Sequence, residues 1–396
     1  MRTLFLQVAP VVWLLVAGFG PRPTVGQQRD VLPVPNHGHP IWLVFSPDGK
    51  LLAAKTDTTE ESQSITIWDV SARQVLKTIS FSKLSGCDCL AFSPDGKVLA
   101  TGHSNNGVRL WDLATGKARE PFPASEGNVT RLAFSPDGAV LAAAGVAGDH
   151  RLKHSAKSAL HGNVTLWTVQ TGRQLAILDT GSNVRSLRFL PDGRTVAIAR
   201  EVGRGSGARQ LLTAEVQIWD LDTFQQQQRL GNFPSWDPSA IKVFLRNVRC
   251  GGVSGFGISL SPDGRRLATS ELEKVAISDV ATGAAILLGT HPIAVHSMVF
   301  SPDSQTLATL AEGYGFGDDA SRTVRLWDLA SRKQIAVLKH PGQEKTWVGE
   351  VAFSPDGQLI ATSTFPSVGL YLWQLSGDAS ETTKSETSNY RRSPNL

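Results

Sequence analysis

Two short strings alternate strictly, seven times each, along the 396 residues of the chain. The first is Phe-Ser-Pro-Asp-Gly, at Phe45–Gly49, Phe92–Gly96, Phe134–Gly138 and Phe353–Gly357, with variants that begin at Phe189 (FLPDG), Leu260 (LSPDG) and Phe300 (FSPDS). The second is an apolar-Trp-Asp-apolar string: IWDV at 67–70, LWDL at 110–113, LWTV at 166–169, IWDL at 218–221, ISDV at 277–280, LWDL at 326–329 and LWQL at 372–375. A unit that returns about every 50 residues is one small module that cannot bury its apolar face alone, so the copies must stack on one another.

Each string specifies an element. Proline presets the first corner of a turn, aspartate tolerates the second, and glycine accepts the left-handed position that follows, so S-P-D-G closes an antiparallel hairpin between two apolar runs. The segment VAFSPDGQLIAT is therefore strand, turn, strand. The Trp-Asp string ends a third, alternating strand such as SITIWDV, and a turn of the ATG type leads to a fourth apolar run such as RQLAILD at 173–179. Each unit reads as a four-stranded antiparallel meander.

Seven such sheets, stacked face to face, close a ring around a central channel. The paired strings resemble the WD40-repeat family over roughly residues 30–375. The resemblance implies an all-β, seven-bladed β-propeller. The last repeat stops after its third strand at Leu375, whereas an extra apolar run, Asp30–Val34, precedes the first turn string. That run is expected to supply the missing outer strand of the last blade, on an edge where Pro33 is tolerated. The domain plan is a signal peptide or N-terminal anchor at 1–28, the propeller at 29–376 and a polar, disordered tail at 377–396.

The family's Gly-His dipeptide, which the resemblance links through a buried polar network to the Trp, is clear only at Gly38-His39. His39 and Trp68 are the expected structural pair; His291 and His340 hold similar places without the glycine. Ser278 replaces the Trp in blade 5, Thr168 and Gln374 replace the Asp in blades 3 and 7, and Ser304 replaces a turn glycine. These departures put the network, though not the fold, in doubt for most blades.

Function should sit where the repeats vary. The first-to-second and third-to-fourth turns keep one length, whereas every long insertion falls on the other two connection types: 55–64, 145–162, 200–215, 231–252 and 311–322. In a meander both of these emerge at the same end, so the elaboration lies on one rim. Blades 3 to 5 bring basic residues to it and blades 1 and 6 bring acidic ones, together with large aromatics of the kind enriched at interfaces. The expected activity is a non-catalytic scaffold that holds a protein or peptide partner, the chain itself being a monomer. Candidate contacts are Trp236, Tyr314 and Phe316 on the insertions and, at the channel mouth by repeat alignment, Trp42, Arg131, Arg185, Phe256, His296 and Glu350.

The competing reading is an exported propeller enzyme, or a metal or small-ligand binder, using the central channel. Catalytic motifs are missing: Gly203–Gly207 lacks the Lys-Ser/Thr of a phosphate loop, and no G-x-S-x-G elbow occurs. His150, His154 and His161 in one insertion, and Asp318 with Asp319 in another, could face a metal but lack a supporting pattern, so no metal or cofactor is expected. A formal charge of +4, with no basic block interleaved with aromatics, argues against nucleic acid. Residues 4–20 form an apolar stretch after Arg2, read as a secretory signal, or as a membrane anchor if uncleaved, and hence as export to the periplasm, envelope or medium. Cys87 and Cys89, two apart on a strand, are expected as small buried side chains, and Cys250 completes an odd count.

Overall fold

The hydrogen bonds of the S-P-D-G strings explain why the sequence repeats serine as well as proline. Ser46 Oγ donates to Asp48 Oδ1 at 2.6 Å and accepts the Leu51 amide, while the Lys50 amide donates to the same Asp48 oxygen and Gly49 takes a φ of +71°. The same set of bonds returns around Ser93, Ser135, Ser261, Ser301 and Ser354. Each turn is thus closed from both sides by short side chains that bond their own backbone. Ser304, in place of the glycine, is held at a φ of +59°, where an L-residue carries strain. The aspartate of the Trp-Asp string works alike at the next corner: Asp69, Asp112, Asp220, Asp279 and Asp328 accept the amides of Ala72, Thr115, Thr223, Thr282 and Ser331.

The computed structural model describes residues 29–35, 38–57, 62–82, 87–103, 107–119, 122, 128–147, 161–204, 211–233, 257–311, 322–341, 346–365 and 369–375. They form seven antiparallel sheets; in six the strands run outward in chain order, and in the seventh the first strand of the chain lies outside the last three. The first strands are His39–Phe45, Cys87–Phe92, Asn128–Phe134, Val184–Phe189, Ile258–Leu260, Val295–Phe300 and Trp347–Phe353, which number the blades 1 to 7. The chain is an all-β, seven-bladed propeller, as its repeats imply. Among the described residues, blade 2 has three paired strands, and its fourth run makes the bridges Trp111↔Ala118 and Val108↔Phe122. Pro121 and Pro123 in that run have no amide to offer a ladder.

The core lies between blades. Ile65, Ile67 and Ile79 of blade 1 pack on Phe92, Leu99 and Trp111 of blade 2, and equivalent clusters recur around the ring. The ring closes as expected: Arg29–Leu32 pairs antiparallel with Gly369–Gln374, completing blade 7, and Leu32 joins Phe45, Leu52, Trp68, Leu370 and Leu372 in the cluster joining blades 7 and 1. The strand stops at Leu32, short of Val34, because Pro33 cannot donate to the ladder; its carbonyl instead accepts the Trp68 indole at 2.7 Å. The expected segments at 1–28 and 377–396 lie outside the described residues.

Candidate functional site

The first strands line the central channel, and five of them slip register at the same place. Four residues before the closing phenylalanine, Asp88, Thr130, Arg185, His296 and Gly349 are each skipped in the pairing with the second strand. In blade 1 two residues, Trp42 and Leu43, are skipped, and Trp42 sits at a φ of +59°. An extra residue in one strand bends it and re-aims its side chains, so these bulges set what reaches the channel.

The channel holds a cavity of about 640 Å³, with Trp42, Arg131, Arg185, Arg188, His296 and Glu350 among its lining residues. Five of the nine expected contact residues, from blades 1, 3, 4, 6 and 7, are therefore brought together around one space. Phe256, Trp236, Tyr314 and Phe316 lie outside the described residues, as does most of every long insertion. Of the other rim aromatics, Trp347 and Phe365 stack on each other in blade 7 with ring centroids 4.8 Å apart. Arg188 is a lining residue that repeat alignment passed over. It stands immediately before Phe189, where the other blades carry Val44, Ala91, Ala133, Ser259, Val299 and Ala352. A single charge in a column of small and apolar residues was the available signal.

The arginines are anchored by backbone carbonyls. Arg131 Nε donates to the Arg185 carbonyl at 2.9 Å and its Nη1 to the Thr130 carbonyl at 2.6 Å, while its guanidinium lies 5.9 Å from the Trp42 ring centroid. Arg188 Nε donates to the Leu260 carbonyl of blade 5 at 2.9 Å. Burial draws the affinity of both guanidinium groups for their proton below its usual value. Burial also pushes the Glu350 carboxyl up to about 7, against the opposing pull of Arg131, and holds His296 below the ordinary imidazole value.

Away from the channel, buried polar groups join neighbouring blades. His291 Nε2 meets Thr309 Oγ1 at 2.6 Å, and that hydroxyl accepts the Trp327 indole at 2.8 Å; His340, Thr362 and Trp373 repeat the set at the same two distances. Burial lowers His291 to about 3 and His340 to about 4, so both rings are neutral at pH 7. Blade 2 builds the set from its own second strand, with His103 on Thr101 and Trp111 donating to that threonine. Trp68 bonds Pro33, as above, and the side chain of His39 lies outside the described residues. In blade 3 the Trp167 indole nitrogen is buried without a partner, and in blade 5 so is the Ser278 hydroxyl. Blade 4 substitutes a buried ion pair, Arg200 to Glu215 at 3.0 Å, with Arg200 Nη1 also donating to the Thr180 carbonyl in the position where blades 6 and 7 place histidine.

Cys87 and Cys89 are buried thiols outside any disulfide, on either side of the Asp88 bulge. Among the described residues no three His, Cys, Asp or Glu side chains converge as a metal site, and the candidates His150, His154, Asp318 and Asp319, with the side chain of His161, fall outside them.

Comparison with known proteins agrees with this architecture. The model of the WD domain, G-beta repeat, matches residues 116–154, 286–328 and 332–367, and that of the anaphase-promoting complex subunit 4 WD40 domain matches 43–130. The chain is 25% identical over 278 residues to periodic tryptophan protein 2 of Arabidopsis thaliana, covering 70% of this chain and 21% of that protein. It is 29% identical over 154 residues to the periodic tryptophan protein 2 homolog of Schizosaccharomyces pombe (39% and 16%), and 23% identical over 326 residues to WD repeat-containing protein 90 of Homo sapiens (80% and 16%). The matched part is about a fifth of the length of these relatives or less. They are intracellular eukaryotic proteins, which overturns the expectation of an exported protein drawn from the apolar N-terminus.

Proposed function

The chain belongs to the WD40-repeat family, and on that premise we propose that it works as a non-catalytic interaction scaffold that holds a protein or peptide partner on the insertion-bearing rim. The observation that carries this reading is the asymmetry of the ring. At one end the S-P-D-G turns are near-identical and closed by their own side chains. At the other, the long connections emerge, and in blade 4 the two middle strands run on as a ten-residue pair from Thr195↔Asp220 to Arg204↔Leu211. The channel mouth, with Trp42, Arg131 and Arg185, opens at the bulged starts of the first strands. An aromatic and two arginines around one cavity match the composition of interface anchors.

The test is a crosslinking pull-down from the native host, comparing the intact protein with a version whose insertions 145–162 and 231–252 are shortened. Partners captured by the intact protein should be lost from the shortened one. An unchanged partner list would refute the rim as the binding face.

A further inference from the structure

We propose that the central cavity is a binding site for an elongated oxyanionic ligand, a molecule or side-chain group carrying two or more linked phosphoryl or carboxylate groups, held by Arg131 and Arg188. This goes beyond the rim scaffold and stands whether or not a partner occupies the loops.

Placing an arginine in the wall of a narrow channel costs solvation, and proteins ordinarily offset that cost with a carboxylate. Here the only acid among the described lining residues is Glu350, against three arginines from blades 3 and 4. No described carboxylate lies within ion-pair distance of Arg131 or Arg188. Both guanidinium groups are instead oriented through neutral carbonyls, which fix the planar fork without spending its charge. Among the described residues, that leaves Nη2 of Arg131 and both terminal nitrogens of Arg188 as donors without an acceptor. The charge of Glu350 is itself weakened near neutrality by its burial, so the cavity carries a net positive field between walls of Leu43, Leu90, Leu132 and Met298. In such surroundings a fixed arginine fork selects a planar or tetrahedral oxyanion and would repel a cation.

The depth of the two groups sets the shape of the ligand. Arg131 stands three residues before its closing phenylalanine and Arg188 one residue before its own, so they lie two strand positions apart along the channel, roughly 7 Å. A single-centred anion reaches one of them at a time; a chain of anionic groups along the axis reaches both. Trp42, held in its left-handed conformation over Arg131, closes the upper side of the first fork. Such backbone strain is typical of residues whose position serves a site.

Titration calorimetry of the full chain with inorganic phosphate, tripolyphosphate and tricarballylate tests the proposal. Tripolyphosphate or tricarballylate should bind saturably at one site, and at least about tenfold more tightly than phosphate, because each can span both forks. R131M and R188M should each weaken that binding about tenfold, and E350Q should strengthen it about threefold by removing a repulsive charge. The gain in E350Q is read even if an arginine variant fails to fold. The tighter of the two long probes distinguishes phosphoryl from carboxylate chemistry. No saturable binding of either long probe, binding no tighter than that of phosphate, binding that R131M or R188M leaves unchanged, or no gain in E350Q would each overturn it.

Discussion

The ring is sealed by one short strand, and Leu32 is the side chain through which that seal is felt. It is 1% exposed and packs among Phe45, Leu52, Ala54 and Trp68 of blade 1 and Ala361, Leu370 and Leu372 of blade 7. Its neighbour Val31, in the same four-residue strand, is 62% exposed. L32A removes three carbons from a site enclosed on both sides by paired sheets that cannot collapse independently. The expected loss is about 3 kcal/mol, within the 2 to 5 kcal/mol typical of buried leucines. V31A, which disturbs the same backbone, should change stability by less than about 0.5 kcal/mol. Deleting residues 29–34 adds the loss of the Pro33 acceptor for the Trp68 indole, about 1 to 3 kcal/mol, and a half-exposed Asp30–Arg73 ion pair worth less than about 1 kcal/mol. The total is of the order of the net stability of a typical domain. Urea unfolding followed by tryptophan fluorescence would measure all three. Equal effects of L32A and V31A, or a loss below about 1 kcal/mol in L32A, would refute the claim that this strand seals the ring.

Three further outcomes follow from buried polar groups. His291 and His340 are held at about 3 and about 4, below the ordinary 6.5, so the stability they give is complete above pH 6.5 and falls as pH drops toward 4. At pH 5 the loss should be about 2 kcal/mol per histidine, and thermal melts of H291N and H340N should show a correspondingly flatter slope between pH 6.5 and 4. Glu350 runs the other way: with its folded value at about 7 and an ordinary value of 4.5, its burial costs stability as pH rises through that interval. E350Q should therefore be more stable than the parent at pH 8, by up to about 3 kcal/mol, and equal to it at pH 4. E215A strands Arg200 and should cost about 3 to 5 kcal/mol, whereas the double variant R200M/E215L should be near neutral; equal losses in both would mean that the pair is not energetically coupled.

The turns and the blade count are legible in the sequence because S-P-D-G and Trp-Asp bond within a few residues of themselves, so local chemistry dictates local structure. Closure is legible because a repeat with three strands leaves a visible deficit, and only the stop at Leu32 needed the Trp68–Pro33 bond to explain it. The channel residues were found by aligning the repeats, which places them three or four residues before the closing residue of each first strand, at the bulge or next to it. Arg188 escaped that alignment, since it projects from the regular part of its strand. The polar links were the least legible. His291 and His340 signal themselves by following a fourth strand, but His103 reaches its threonine from the same strand, and Arg200 and Glu215 meet only through a register fifteen residues apart. Long-range pairing of this kind leaves no local mark. The apolar N-terminus misled on location because an apolar run states only a preference to leave water, not where in a cell it does so.

The antiparallel seal also dictates how the ring would answer to force. Arg29 lies opposite Trp373, so the backbone enters the propeller and leaves it side by side, at the same end of blade 7. A load applied through the two ends would not shear the short ladder along its length but open it one rung at a time, like a zip, at far lower force than shear would need. The points at which the backbone enters and leaves the ring are thus adjacent. Tension between them would release the Leu32 strand first and turn a closed ring into an open one.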